Sequence, residues 1–177
     1  MLIGNNNGFD AILFGSQARV KLLRFFLFNP NREFTYEEIS TRARLVRRTA
    51  RTELNALERA DIIKKKQLLI QLPEKTKKTR VQGYSLNKKM PELSALQTFL
   101  FETAPIHGQT LLKHMRKAAP LDFVAAAGIF MRQFDSRLDV VIAMKKLNEP
   151  KIEVAIRSLE AELGIEIRYA AFTTIDL

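Results

Sequence analysis

The fold and function of this chain are best approached from one stretch, Arg42-Ala43-Arg44-Leu45-Val46-Arg47-Arg48-Thr49-Ala50-Arg51. Five of its ten residues are arginine and none is acidic. The pattern predicts a helix that starts near Val46 and runs to about Ala60. At helical spacings of three and four residues, one face of this segment would carry Arg44, Arg47, Arg48, Arg51 and Asn55.

The cations stand at the end of the predicted helix where they are least favourable. Arg47 and Arg48 fall in the first turn, where the positive end of the helix macrodipole disfavours each cation by roughly 0.3–1 kcal/mol. The neighbouring face, with Ala50, Leu54 and Leu57, can pack on a core. Unfavourable charge without nearby compensation indicates an external polyanion, although most charge runs are simply solvated faces.

Composition limits the class of protein. The chain has 177 residues, which allows one large or two small domains, and 46% of them are hydrophobic, enough for a core. There is no cysteine, so disulfides and thiolate metal sites are excluded. No apolar run approaches the roughly 20 residues that span a bilayer, and residues 1–9 lack the basic segment of a signal peptide. We expect a soluble, cytoplasmic protein.

The net charge of +10 is unevenly distributed. Residues 1–104 carry 19 Lys+Arg and 10 Asp+Glu, a net of +9, whereas residues 105–177 carry 10 and 9, a net of +1. This asymmetry predicts two domains, of which only the first meets a polyanion.

Several local signals define the elements around the arginine helix. Residues 10–28 predict one continuous helix; the Gly15-Ser16 pair within it superficially resembles a nucleotidyltransferase motif, but no carboxylate pair follows. Thr35 and Glu38 form a capping box for a short second helix. Residues 62–72 and 80–86 predict two strands of a hairpin, whose basic tip and adjoining strand carry Lys75, Lys77, Lys78 and Arg80.

The order helix, short helix, basic helix, hairpin over residues 12–86 resembles the winged helix–turn–helix domain of bacterial and archaeal transcription regulators. One departure is Val46, where that family usually has a capping serine or threonine. The resemblance implies that the third helix enters the major groove, with Arg47, Arg48 and Arg51 at base edges or phosphate and Asn55 further along. The implied phosphate anchors are Arg44, Lys75, Lys77, Lys78 and Arg80.

The second half predicts strands over residues 121–130, 138–143 and 165–172, and a helix over 150–163 capped by Gly164. From about residue 110 to 177 it resembles a minimal nucleotidyltransferase domain. Gly128 matches the family's glycine, but Ile129 replaces its serine. Asp135-Ser136-Arg137-Leu138-Asp139 resembles Asp-Ser-Asp-Ile-Asp, with Arg137 in place of the first metal-binding aspartate.

That replacement predicts a catalytically inactive domain. A guanidinium about 4 Å from Mg²⁺ would repel the ion by several kcal/mol at an effective dielectric near 20. The resemblance therefore implies a degenerate nucleotide site at Gly128, Asp135, Arg137 and Asp139. We expect no catalytic residue, metal or cofactor, and a present role in oligomerisation or nucleotide sensing.

The predicted fold class is α+β: a winged helix–turn–helix domain over residues 10–90, a helical linker and candidate dimer seam over 91–109, and a small α/β nucleotidyltransferase-like domain over 110–177. The predicted function is a sequence-specific regulator of transcription that binds double-stranded DNA as a homodimer, away from membranes. Two alternatives stay open: an active nucleotidyltransferase of antitoxin type, and a non-specific DNA- or RNA-binding protein.

Overall fold

The computed structural model describes residues 6–71, 77–118, 120–133 and 135–176. Within these ranges the chain is a mixed α+β fold with seven α-helices and two three-stranded sheets, which is the predicted class. It divides into two compact units, Met1–Ala104 and Pro105–Leu177, each with its own hydrophobic core. Among the described helices, none combines the length and apolar character that a bilayer crossing requires.

The first unit begins with two helices in place of the single predicted one. Helices α1 (Asn6–Phe14) and α2 (Gln17–Leu27) are separated at Gly15, whose φ of +80° is a left-handed conformation that glycine adopts without strain. Ser16 then caps α2, because its hydroxyl accepts a hydrogen bond from the Arg19 amide at 3.0 Å. The predicted continuous helix over residues 10–28 is therefore wrong.

Helices α3 (Tyr36–Arg42) and α4 (Arg47–Arg59) follow the predicted boundaries closely. The capping box at the start of α3 is confirmed: Thr35 accepts from the Glu38 amide, and Glu38 accepts from the Thr35 amide. Helix α4 starts after Val46, whose side chain makes no capping hydrogen bond. The first turn of α4 therefore lacks the side-chain cap that serine or threonine would supply.

The predicted hairpin is confirmed and belongs to a larger sheet. Strands β2 (Ile63–Ile70) and β3 (Thr79–Leu86) pair antiparallel, and the short strand β1 (Glu33–Thr35) pairs with the other edge of β3, in the order β1-β3-β2. The sequence patterns did not predict β1. Lys75 lies outside the described residues, so the predicted tip is described only from residue 77 onward.

Helix α5 (Leu93–Thr103) is part of the first unit's core. Leu100 is fully buried there, the Phe99 and Phe14 rings lie 6.0 Å apart, and the Gln97 amide donates to the Leu27 carbonyl at 3.0 Å. The apolar face of α5 is thus already engaged inside the unit, which leaves little of it to form a dimer seam.

The second unit is a three-stranded sheet with helices on one face. Helix α6 (Gly108–Ala118) precedes β4 (Phe123–Ala126), and β5 (Val140–Met144) and β6 (Tyr169–Thr173) flank α7 (Glu149–Leu163). In the order β4-β5-β6, the first pair is antiparallel and the second parallel. The core joins alternate residues of β5 to the two helices: Leu111, Met115, Val140, Ile142, Met144, Ile156 and Leu159.

Two of the three strands predicted for this unit are shorter than expected. The strand predicted over 121–130 ends at Ala126, because a short 3₁₀ helix (Gly128–Met131) starts at Gly128 with φ of +48°. The strand predicted over 165–172 begins only at Tyr169. Helix α7 and its left-handed cap at Gly164, with φ of +77°, are confirmed.

Candidate nucleic-acid interface

Helix α4 has the two faces that its sequence predicts. Ala50, Leu54 and Leu57 are 0–2% exposed in the core. The opposite face is exposed and carries Arg47, Arg48, Arg51 and Asn55. Arg44 is also exposed, but it lies in the turn between α3 and α4 with φ of +51° rather than on the helix. The four polar residues of α4 thus lie on one outward surface.

The expectation that the cationic face has no acidic neighbour is wrong at Arg47. Its guanidinium lies 3.2 Å from the carboxylate of Glu37 on α3. Both side chains are about three-quarters exposed, at 79% and 74%, and exposed pairs of this kind contribute about 0–1 kcal/mol. A phosphate could therefore displace Glu37 at small cost. No ion pair is found for Arg48 or Arg51 within the described part of the chain.

Tyr36, in the first turn of α3, positions the start of α4, and sequence analysis missed this role. Its hydroxyl donates to the main-chain carbonyl of Arg47 at 2.5 Å, and the Arg51 guanidinium lies 5.9 Å from its ring centre. Tyr36 thereby holds the main chain at Arg47 and contacts the side chain of Arg51. The only local signal was an aromatic residue directly after the capping threonine.

A buried carboxylate anchors α4 to the N-terminal helices. Glu53 is 7% exposed and accepts from the Ser16 hydroxyl and the Arg19 Nε, both at 2.8 Å. Arg19 also donates to the Phe14 carbonyl at 2.9 Å. The pair Gly15-Ser16 therefore has a structural use: it turns the chain and places the cap of α2 against α4.

A second ion pair joins α4 to the sheet. The Lys65 ammonium of β2 contacts the Glu58 carboxylate, and this hydrogen bond raises the pKa of Lys65 against the opposing effect of desolvation. In the same strand, Lys66 pairs with Glu33 of β1 at 2.5 Å. Two of the lysines in β2 thus have acidic partners within the first unit.

An open cleft of about 960 Å³ lies between α4 and the hairpin. Its lining includes Arg51 and Asn55 of α4, Gln82 and Tyr84 of β3, and residues 35–38 at the start of α3, of which Glu37 and Glu38 are acidic. Gln82 donates to the Tyr84 hydroxyl at 3.0 Å. Beyond the cleft the hairpin exposes the cations Lys77, Lys78 and Arg80. Of the cations on α4 and the hairpin, Arg51 and Lys65 line the cleft.

The predicted nucleotide site of the second unit is only partly assembled. Gly128 and Asp139 lie together, since a Cβ on Gly128 would come 2.0 Å from an Asp139 oxygen. Asp135 and Arg137 are exposed on the connection before β5. The cation that contacts Asp139 is Arg168 rather than Arg137: it donates to Asp139 through Nε at 2.9 Å and Nη2 at 3.0 Å, and it is also attracted by Asp135.

Every hydrogen bond described for Asp139 serves the fold. The carboxylate is fully buried and also accepts from the main-chain amides of Ile129 and Arg168, both at 2.9 Å. Desolvation would raise its pKa, but hydrogen bonds from Arg168 and from the two amides outweigh it and hold the pKa below the usual value. No group of three or more metal-ligating side chains occurs among the residues described.

Arg168 could have been noticed in the sequence. It is a basic residue directly before the last strand, in a stretch that is otherwise largely apolar. Its partner lies 29 residues earlier, so spacing alone could not pair them.

Comparison with known proteins found no match for this chain among protein-family models, curated proteins or solved structures. The class of this protein is therefore defined by its mixed α+β fold and by the two units described above.

Proposed function

We propose that the first unit is a winged helix–turn–helix module that binds double-stranded DNA and that the protein regulates transcription. The observation that carries this proposal is the orientation of α4, whose apolar face is buried while its exposed face bears Arg47, Arg48 and Arg51. A helix held in this way can enter the major groove without unfolding any part of its support.

The exposed polar residues of α4 and the cations around it would have different roles in DNA binding. Arg48, Arg51 and Asn55 lie on the helix, where bidentate arginine contacts to guanine or an amide contact to adenine can distinguish base pairs. Exposed cations around it would contact phosphates and fix the register without reading sequence: Arg44, Lys77, Lys78 and Arg80. In this scheme, Arg47 exchanges Glu37 for a phosphate or a base.

The experiment is a selection of genomic fragments that bind the purified protein, followed by competition against random duplex at several salt concentrations. A sequence-specific regulator should prefer its selected duplex by at least about 10³-fold at physiological salt. Equal affinity for selected and random duplex at every salt concentration would contradict specific recognition and favour the non-specific alternative.

We further propose that the second unit is not a nucleotidyltransferase. The proposal is supported by Asp139, because its buried carboxylate already accepts hydrogen bonds from the Arg168 guanidinium and from two main-chain amides. Purified protein with Mg²⁺ and labelled nucleoside triphosphates should transfer no label to itself or to co-purified proteins. Transfer by the wild type that is lost in an Asp139→Asn variant shown by circular dichroism to be folded would establish the enzymatic alternative instead.

A further inference from the structure

The hairpin of the first unit carries an exposed leucine away from the core. At the base of the hairpin, Ile63, Tyr84 and Leu86 belong to the core of this unit. Leu69 lies further along β2, where it is 62% exposed. The strand register pairs it with Arg80, which is also exposed. Residues directly opposite in an antiparallel pair share a face, with Cβ atoms about 5 Å apart, so a leucine and a cation stand side by side on one exposed surface.

This surface continues from the cleft beside α4 toward the tip of the hairpin. The pairs Lys65–Tyr84 and Leu69–Arg80 lie on the same face, because they are four residues apart along β2 and side chains alternate along a strand. Lys65 and Tyr84 line the cleft, as does Arg51 of α4. At about 3.4 Å per residue, Leu69 stands roughly 14 Å further out along the strand. The major groove of DNA is about 12 Å wide, so with α4 in that groove Leu69 can reach past one phosphate backbone to the adjacent minor groove.

The cations around Leu69 indicate the chemistry of its partner. Lys77, Lys78 and Arg80 are exposed, and none of them has an ion pair within the described part of the chain. By contrast, two lysines of β2 nearer the core have acidic partners. Positive charge without an acidic partner beside an apolar side chain fits a partner that is anionic outside and apolar inside. A DNA duplex combines these properties in its phosphates and its stacked bases.

We infer that Leu69 is a wedge that inserts between two base pairs from the minor groove and kinks the duplex, while Arg80 enters the groove beside it. This inference rests on the proposed function. Leucine is among the apolar residues that unstack a base step in this way, and the kinks that result are about 20–90°. Pyrimidine–purine steps unstack most easily, so we expect such a step under the hairpin.

A lipid surface also combines an anionic layer with an apolar one, but it fits this site less well. A single leucine buries less apolar surface than a myristoyl chain, and one myristoyl chain by itself gives only marginal membrane binding. The cleft that leads to Leu69 also contains Asn55 and Arg51, whose amide and guanidinium groups can make bidentate contacts with base edges.

Energy transfer between fluorophores at the two ends of a duplex measures the kink. The duplex is the tightest-binding one that the genomic selection recovers. Wild-type protein should bring the two ends closer together, whereas the duplex bound to Leu69→Ala should stay as straight as free DNA. Leu69→Met keeps an apolar wedge and should still bend the duplex. Ile12→Ala is the matched control, because it removes another exposed apolar side chain, on α1, and it should bend the duplex like wild type.

A second measurement shows whether the bend comes from unstacking. It uses a series of copies of that duplex, each with one mismatched pair at a different position, because a mismatch lowers the cost of unstacking at its own step. Wild-type protein should bind at least one copy about tenfold more tightly than the fully matched duplex, which corresponds to about 1.4 kcal/mol. Leu69→Ala should gain affinity at no position.

Four results would overturn the inference while leaving the proposed function intact: a straight duplex in the wild-type complex, no gain from any mismatch, a bend or a gain that Leu69→Ala retains in full, or an equal loss in Ile12→Ala. A wild-type chain that binds no duplex would overturn both. Leucine-dependent binding to phosphatidylglycerol vesicles without DNA bending would assign Leu69 to a lipid surface instead. Circular dichroism checks that each variant is folded, and Leu69→Thr, which suits a strand, replaces Leu69→Ala with the same expectation if the alanine variant is not.

Discussion

At the scale of single residues, Asp139 shows how a carboxylate predicted from a functional resemblance can have a structural role. It closes the connection between β4 and β5 by accepting from Ile129, and it holds Arg168 at the start of β6. A buried charge in this position is stabilising only while its partners are present. Replacing Asp139 should therefore lower the free energy of unfolding.

We predict that Asp139→Asn lowers the free energy of unfolding by about 1–3 kcal/mol, because the Arg168 guanidinium and two amides lose an ionised acceptor. Arg168 is itself 42% exposed, so water can take over part of its solvation and keep the loss moderate. Asp135→Asn is the matched control: it removes an exposed carboxylate that attracts Arg168 only weakly and leaves the Asp139–Arg168 pair intact, so it should change stability by less than about 0.5 kcal/mol. Urea denaturation measures both, and equal losses would contradict the assignment.

The same carboxylate predicts a dependence on pH. The pKa of Asp139 is lower in the folded protein than its usual value of 3.8. Its contribution to stability is therefore complete above that value and is lost as the pH falls through the lower folded pKa. Unfolding followed between about pH 5 and pH 2 should show a smaller acid-induced loss of stability in Asp139→Asn than in wild type. The prediction would be contradicted if the wild type and Asp139→Asn lost the same stability as the pH falls.

At the scale of secondary-structure elements, α4 is held by side-chain contacts with three neighbouring elements, whereas no capping side chain stands at its own N-terminus. Glu53 ties it to α2, Glu58 to β2, and Tyr36 to α3. Its N-cap residue, Val46, is 72% exposed and in the extended conformation of a cap, with φ of −64° and ψ of 145°. The backbone is thus ready for a capping side chain that the residue does not provide.

We predict that Val46→Ser raises the free energy of unfolding by about 0.5–2 kcal/mol, because the new hydroxyl can accept a hydrogen bond from a first-turn amide. Val46→Ala is the control, since it removes the branched side chain without adding an acceptor, and it should give no such gain. Thermal and urea unfolding compare the three proteins. A gain in the alanine variant equal to that in serine would show that capping is not the cause.

Elements with local signals were predictable, and elements created by distant pairing were not. The capping box of α3 and the glycine cap of α7 depend on residues within a few positions of one another, and the two strands of the hairpin follow each other directly along the chain. Strand β1 is three residues long and exists only because it pairs with β3, about fifty residues later. The break before α2 had a local signal in Ser16, but the predicted helix ran through it.

At the scale of the whole molecule, the excess charge belongs to one unit. The cationic helix α4 and the basic hairpin belong to the first unit, which carries nearly all the excess charge. The second unit is almost neutral. A polyanion is therefore expected to bind the first unit.

We predict that a fragment of residues 1–104 binds a labelled DNA duplex with nearly the salt dependence of the full chain, whereas residues 105–177 alone bind no duplex. The reason is that the slope of affinity against salt counts the phosphates neutralised, and the first unit supplies the cations. Fluorescence anisotropy measures both slopes. Comparable DNA binding by residues 105–177 would contradict the assignment, and circular dichroism of each fragment verifies that it is folded.

We propose that α4 recognises the DNA sequence while the hairpin contacts the phosphate backbone of the DNA. The most direct test measures the binding of two double variants to selected and random duplex over a salt series. Arg48→Ala/Arg51→Ala should lose most of the preference for the selected duplex, by about 1–3 kcal/mol for each arginine that reads a base. Lys77→Ala/Lys78→Ala should weaken binding to both duplexes similarly and reduce the salt slope by about two. A helix variant that keeps the wild-type preference would contradict the proposal.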